Sequence, residues 1–536
     1  MLLNDNELKN RDQWEQKRFF LPRFDRAAVR ERTRKDPVWL HIGAGNIFRS
    51  FLANIQQRLL NESFYNKGIV VAEGYDYEII DAAYTAHDDL SVLVTLKSDG
   101  RIEKTVIASV VESLKTDASG FPRMKEIFAA GSLQIVSMTI TEKGYNLSGA
   151  DGSLLPDIVA DTTAGPDNAK SFMGKLAALC YHRYLNGAAP LALVSMDNCS
   201  QNGTRLYEAV RHFANGWVQN GFADSGFLEY VDDPDRLSFP WSMIDKITPR
   251  PNDDVARILK EDGIDNADNI VTTKTTYIAP FVNAEETEYL VIEDAFPNGR
   301  PPLEKAGVIF TDRKTVEKTE KMKVCTCLNP LHTALAVFGC LFSYTRISEA
   351  MEDALLVKLV RRIAGEGLPV VVDPGILSPD EFVDTVITKR LPNPYIPDTP
   401  QRIATDTSAK IPVRFGETIK AYIESDTVNT ESLVAIPLVL AGWLRYLLGV
   451  SDSGNEFEPS PDPLLPELLA QLAGIIPGRE EDYRCKLTPL LSNSTLFGVD
   501  LYKAGLAERV AEYFTMMTGN PGAVRRTLEK ILIKET

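Results

Sequence analysis

Cysteine and histidine are both scarce in this chain, six and five residues out of 536. The cysteines (Cys180, Cys199, Cys325, Cys327, Cys340 and Cys485) lack disulfide-framework spacing, which fits a reducing cytoplasm. Positive charge is also short. Against 58 Lys and Arg stand 74 Asp and Glu, a formal net charge of −16, and this excess argues against nucleic acid or an anionic membrane surface as a partner. An anionic substrate would need a local cluster of cations working against the overall field. The opening stretch, MLLNDNELKNRDQWEQKRFF, has no apolar segment of the kind a secretory signal carries. No Gly/Ser-rich or repetitive tract is present, so neither long disorder nor a solenoid is expected. The longest apolar run, Leu433 to Val450, contains Pro437 and Arg445, and reads as a buried core helix rather than a membrane span.

What is present is ample apolar material, 44% of residues, in a chain longer than one hydrophobic core usually organises. The first half alternates short buried-strand runs with helical ones: VWLHI (Val38 to Ile42), GIVVAEG (Gly68 to Gly74), LQIVSMTIT (Leu133 to Thr141) and LALVSM (Leu191 to Met196). Asp99-Gly100 is a hairpin signal, so part of the sheet is expected to be antiparallel. From about Lys314 the pattern changes to long amphipathic helices such as EDALLVKLVRRIA. The expectation is an α/β Rossmann-like domain with a mixed sheet over residues 1–314, then a mostly α-helical domain over 315–536. The active site is expected in the cleft between them, where small-molecule sites prefer to lie.

HIGAGNIFR places Gly43, Gly45 and Asn46 between a strand and a helix, the position at which a dinucleotide's pyrophosphate meets a helix N-terminus. The third glycine of the usual fingerprint is missing, and alone this is a weak signal. The second strand ends in Glu73, with Asp76 close behind. A carboxylate there accepts from a ribose 2′-hydroxyl and repels a 2′-phosphate, which favours NAD over NADP.

The decapeptide KVCTCLNPLH (Lys323 to His332) admits three readings. Cys325, Cys327 and His332 give too few donors, at the wrong spacing, for zinc, so no metal is expected. Asn329-Pro330 looks like an N-cap and N1 pair opening an apolar helix. Alternatively Lys323, Asn329 and His332 supply a base, a donor and an orienting group for a dehydrogenase, lysine acting as base if burial lowers its pKa.

With this combination the sequence resembles the polyol-specific long-chain dehydrogenase/reductases, the mannitol dehydrogenase family. EKMKVCTCLNPLH resembles its catalytic signature, in which Lys323, Asn329 and His332 are catalytic and Glu320 lies on a proton path. TITEKGYN resembles a cofactor-side segment, with Thr141 and Glu142. SMDNCSQNG resembles the segment bearing a second alkoxide-binding asparagine, Asn198. FPWSMIDKITP and RIATDTSAK resemble substrate-binding segments, with Asp245, Arg402 and Lys410. One departure stands out: the family pattern has four residues between lysine and asparagine, whereas here there are five, VCTCL. On a continuous helix one extra residue turns Lys323 away by about 100°. Either a π-bulge absorbs it or Lys323 precedes the helix, with Lys321 as the competing candidate.

The resemblance implies a metal-independent, NADH-dependent oxidoreductase of the cytoplasm, a monomer or homodimer, acting on a small-molecule sugar acid or polyol. Reduction of fructuronate to mannonate is favoured, and mannitol, altronate and arabinitol remain open. A catalytically silent NAD-binding sensor is the alternative from another class.

Overall fold

The computed structural model describes residues 1–149, 151–478 and 483–533. The chain divides into two compact units, Met1–Lys97 with Arg101–Glu317, and Ser98–Gly100 with Lys318–Thr536.

The first unit is built on a six-stranded sheet. In chain order its strands are β1 (Trp39–Ile42), β2 (Ile69–Glu73), β3 (Val110–Lys115), β4 (Ile135–Met138), β5 (Leu191–Ser195) and β6 (Leu237–Ser238). Their spatial order is β3-β2-β1-β4-β5-β6 and every pairing is parallel, the doubly wound order of dinucleotide-binding folds. Alternation along each strand feeds two cores. Leu40, Ile42, Val136, Met138 and Leu193 pack on one face with the helices Phe121–Ala129, Phe172–Leu185 and Asn202–Gln219. Trp39, Val71, Ile135, Ala192 and Val194 pack on the other with the helical run Phe48–Asn61.

The expected antiparallel hairpin forms, Ser91–Leu96 against Ile102–Ile107, but in a separate sheet. Its outer neighbours there are Phe281–Glu285 and Phe19–Phe20, both paired in parallel. The antiparallel element therefore lies outside the nucleotide-type sheet.

His41, on β1, is fully buried and stacks on Phe48 with ring centroids 4.3 Å apart. Its Nδ1 lies 2.7 Å from Ser137 Oγ and its Nε2 3.0 Å from Thr139 Oγ1. Burial pushes its pKa down to about 3.

The second unit is helical. Asn329–Leu341 packs against Ala354–Gly367 and Ala435–Tyr446. A Cβ at Gly442 would sit 2.5 Å from the Phe338 ring, so glycine lets these two helices approach. The apolar run read as a core helix forms Ala435–Tyr446, buried along its whole length and too short to span a bilayer. Arg445 inside it donates to the carbonyls of Met517 and Val450. The helical run Arg313–Leu341 has the length and apolarity to cross a membrane, and 72% of its most apolar window is buried within the protein.

Because His41 is neutral when folded and protonates near its usual value of 6.5 when unfolded, the unfolded chain binds more protons on the acid side. Stability should therefore fall as pH drops from about 6.5 toward 4. Thermal melts across that range should show a declining Tm, with a shallower slope in a His41→Asn variant.

Candidate functional site

Ligands of open α/β sheets bind beyond the carboxyl ends of the strands, and the turn after β1 is shaped for this. Gly43 has φ +110°, and a Cβ there would sit 2.2 Å from the Thr139 carbonyl oxygen, so the fold itself demands glycine. Gly45 differs, since a Cβ there would meet nothing within 4 Å and its φ is not positive. The protein leaves that space open, at the start of a helical run where free N–H groups attract an anion.

The turn is tied down on all sides. Gly43 N–H donates to Ala72 O at 2.8 Å, Ala44 N–H to Glu73 Oε2 at 2.8 Å, and the Tyr84 hydroxyl to Ala44 O at 2.9 Å. Glu73 is 6% exposed and also accepts from Tyr75 N–H at 2.8 Å and Asp76 N–H at 3.2 Å. Much of its accepting capacity is thus spent on shaping the turn. Asp76 accepts from the Thr272 hydroxyl at 2.6 Å, and the Asn46 carboxamide oxygen accepts from Arg49 Nη2 at 2.8 Å. Arg49, fully buried, also donates to Ala279 O at 2.6 Å.

Beyond β4 and β5 the organising residue is Asp197, which sequence reasoning passed over in favour of its neighbour Asn198. Its two oxygens accept from Ile140 N–H and Thr141 N–H, both at 2.9 Å, and Tyr145 donates to Oδ2 at 2.6 Å. Burial raises the pKa of Asp197, and these hydrogen bonds oppose the rise. They hold Thr141 at φ +66°, a conformation costing of order 1–3 kcal/mol for a non-glycine residue. Glu142 pairs with Arg205 at 2.8 Å. Asn198 is exposed. Asn202, also missed, is buried and donates to the carbonyls of Asp197 and Ser242 at 3.1 and 2.9 Å, linking the Asn198 loop to the strand Ser242–Asp245. That strand ends in Asp245, 6% exposed.

The second unit holds Glu320, Lys323, Asn329, His332, Arg402 and Lys410. Met322–Cys327 is a π-helix, in which the Leu328 N–H reaches back five residues to the Lys323 carbonyl at 3.1 Å. Such a segment absorbs one extra residue without breaking the helical run. Lys323 is 2% exposed, whereas Lys321 faces solvent and Glu320 is half-buried. Of the two candidate lysines, the buried one has the setting of a functional amine.

Asn329 does not act as an N-cap. It is the first residue of the helix Asn329–Leu341, Leu328 occupies the cap position, and no side-chain cap forms. Among the described residues its carboxamide makes no hydrogen bond, so it remains available to a ligand. His332 Nε2 lies 3.4 Å from Asp398 Oδ2, and Asp398 accepts in turn from Arg402. Burial pushes His332 down to about 4; Asp398 opposes this, and Arg414, Arg402 and Arg390 reinforce it. Lys410 donates to the carbonyls of Ile403, at 3.1 Å, and Thr405. Burial pushes the Cys325 and Cys327 thiols up to about 11 and 12, and among the described residues no cluster of His, Cys, Asp and Glu is suited to a metal.

A parallel sheet in dinucleotide-binding order, a glycine turn with open space, and a helical unit carrying a buried lysine and, six residues on, an available carboxamide define a Rossmann-type oxidoreductase in class. The chain belongs to the mannitol dehydrogenase family: its residues 38–305 match the mannitol dehydrogenase Rossmann domain and residues 315–518 the mannitol dehydrogenase C-terminal domain. It is 51% identical to the D-mannonate oxidoreductase of Thermotoga maritima, with all of both chains covered. The structure of Pseudomonas fluorescens mannitol 2-dehydrogenase in ternary complex with NAD and D-mannitol is similar over the whole of both chains, at 26% identity and a TM-score of 0.69. A substrate-free D-sorbitol dehydrogenase shares the fold, with a TM-score of 0.79 at 24% identity over 98% of this chain and 99% of its own.

The two glycines should separate on substitution. Gly43→Ala should lower Tm by several degrees, because the fold cannot accommodate its Cβ. Gly45→Ala should leave Tm unchanged and weaken NADH affinity about tenfold or more by fluorescence titration, because there the Cβ would fill only the space the fold leaves open.

Proposed function

We propose that this chain is a cytoplasmic, NAD(H)-dependent oxidoreductase that interconverts fructuronate and D-mannonate without a metal. The observation that carries the reading is the setting of Lys323, Asn329 and His332 on one helical run, with arginines gathered around the histidine in a chain of net charge −16. Its full-length similarity to a D-mannonate oxidoreductase supports the same substrate class. Gly43, Gly45 and Asn46 would hold the dinucleotide phosphates. Glu73 and Asp76 would face the ribose, their carboxylates favouring NAD over NADP, and Thr141 and Glu142 would border the cofactor.

NADH, when bound, supplies the hydride that reduces the substrate ketone. Lys323, as its ammonium, gives a proton to the ketone oxygen in reduction and takes it back in oxidation, with Glu320 passing the proton toward solvent. Asn198 and Asn329 donate hydrogen bonds to that oxygen as it gains charge, each worth about 3 kcal/mol in the transition state. His332, neutral near pH 7 because burial holds it at about 4, orients a neighbouring hydroxyl. Asp245, Arg402 and Lys410 bind the substrate's remaining polar groups.

NADH oxidation should be followed with fructuronate, tagaturonate and fructose as acceptors, and the expected result is fastest turnover of fructuronate. Lys323→Ala should lower kcat by about a hundred- to ten-thousandfold, while Lys321→Ala leaves it near wild type. NADH binding without turnover of any acceptor would favour a sensor, and loss confined to Lys321→Ala would move the acid/base role to that lysine.

A further inference from the structure

Among the described residues of the second unit three segments are π-helical, Met322–Cys327, Val386–Arg390 and Pro412–Gly416. They carry Lys323, Arg390 and Arg414 in turn. Single-turn π segments concentrate at functional sites because the wide turn re-aims side chains. Pro412–Gly416 packs directly on Met322–Cys327, and the Thr418 hydroxyl just beyond it donates to the Cys325 carbonyl at 3.4 Å.

Arg414 reaches across to the first turn of Asn329–Leu341. Its Nη1 donates to Thr333 Oγ1 at 2.5 Å, and the Thr333 hydroxyl donates onward to the Asn329 carbonyl at 2.9 Å. The guanidinium thus rests on the turn that bears Asn329 and His332, and it is one of three arginines whose charge bears on His332.

The neighbouring cations are otherwise engaged. Arg402 is paired with Asp398 and its side chain is 62% exposed, and Lys410 is held by two backbone carbonyls. Arg414 is largely withdrawn from water, and burial lowers its pKa to about 10. Among the described residues no carboxylate forms an ion pair with it, and its side-chain partner is a neutral hydroxyl. A guanidinium withdrawn from water without a counter-charge is costly to the fold. The planar fork of donors that remains matches a carboxylate, which it can grip through two parallel hydrogen bonds.

We propose that Arg414 is the specificity-determining residue that engages the carboxylate of a sugar-acid substrate, making the site prefer hexuronates to uncharged ketoses. The inference rests on the substrate class assigned above and adds the group that reads it. Arg402 and Lys410 then hold hydroxyls or fix local backbone, and Arg414 discriminates by charge.

The test compares wild type, Arg414→Met and Arg414→Lys with NADH as reductant, measuring kcat and KM separately for fructuronate and fructose, with NADH affinity as the control for folding. Arg414→Met should lose about a hundredfold in kcat/KM for fructuronate, mainly through KM, with fructose reduction unchanged or improved. Arg414→Lys should recover part of the loss, since it restores charge without the fork. Equal losses for both acceptors would assign Arg414 a merely structural role and overturn the inference, as would undiminished fructuronate reduction in Arg414→Met. Wild-type enzyme that reduced fructose but no hexuronate would overturn the substrate reading and the inference together.

Discussion

The backbone bond from the Leu328 amide to the Lys323 carbonyl sets how Lys323 and Asn329 are placed along the helical run. Reaching back five residues instead of four widens one turn and takes back about the 100° that the extra residue would have added. It does so without a break, so the lysine stays inside a buried helical run and the asparagine opens the next helix. Pro330 accommodates the change, since it has no amide proton to place. The same widened turn gives Pro412–Gly416 a surface to pack on, which brings Arg414 to the histidine's turn.

The first unit depends on a different economy of hydrogen bonds. A single carboxylate, Glu73, gathers amides from the glycine turn and from its own strand end, and another, Asp197, gathers amides beyond β4. Each ties the ends of neighbouring parallel strands together at the edge where ligands bind. Loops there would otherwise be mobile; here polar side chains buried at the strand tips fix them, at the cost of a strained residue such as Thr141.

Much of this was legible in the sequence. Strand tips flanked by glycine or polar residues marked β1, β2, β4 and β5, because a buried parallel strand must be apolar along its length and end abruptly. The count of five residues in VCTCL left two accommodations open, a π-bulge or a lysine ahead of the helix, and Met322–Cys327 takes the first. What escaped was non-local. The hairpin's sheet partner, Phe281–Glu285, lies far along the chain, and no local pattern records such a pairing. Asn329-Pro330 offered an N-cap and N1 pair as one reading, and a one-residue shift of the helix start moves Asn329 from N-cap to N1. Asp398 and Arg414 come from separate elements, and only folding brings their charges to His332.

The two thiols of Met322–Cys327 have a chemical consequence of their own. Oxidants attack thiolates, and burial keeps the Cys325 and Cys327 thiols protonated far above neutral pH. Protonated at neutral pH, the two thiols offer little of the thiolate that peroxide attacks, although the segment is rich in sulfur.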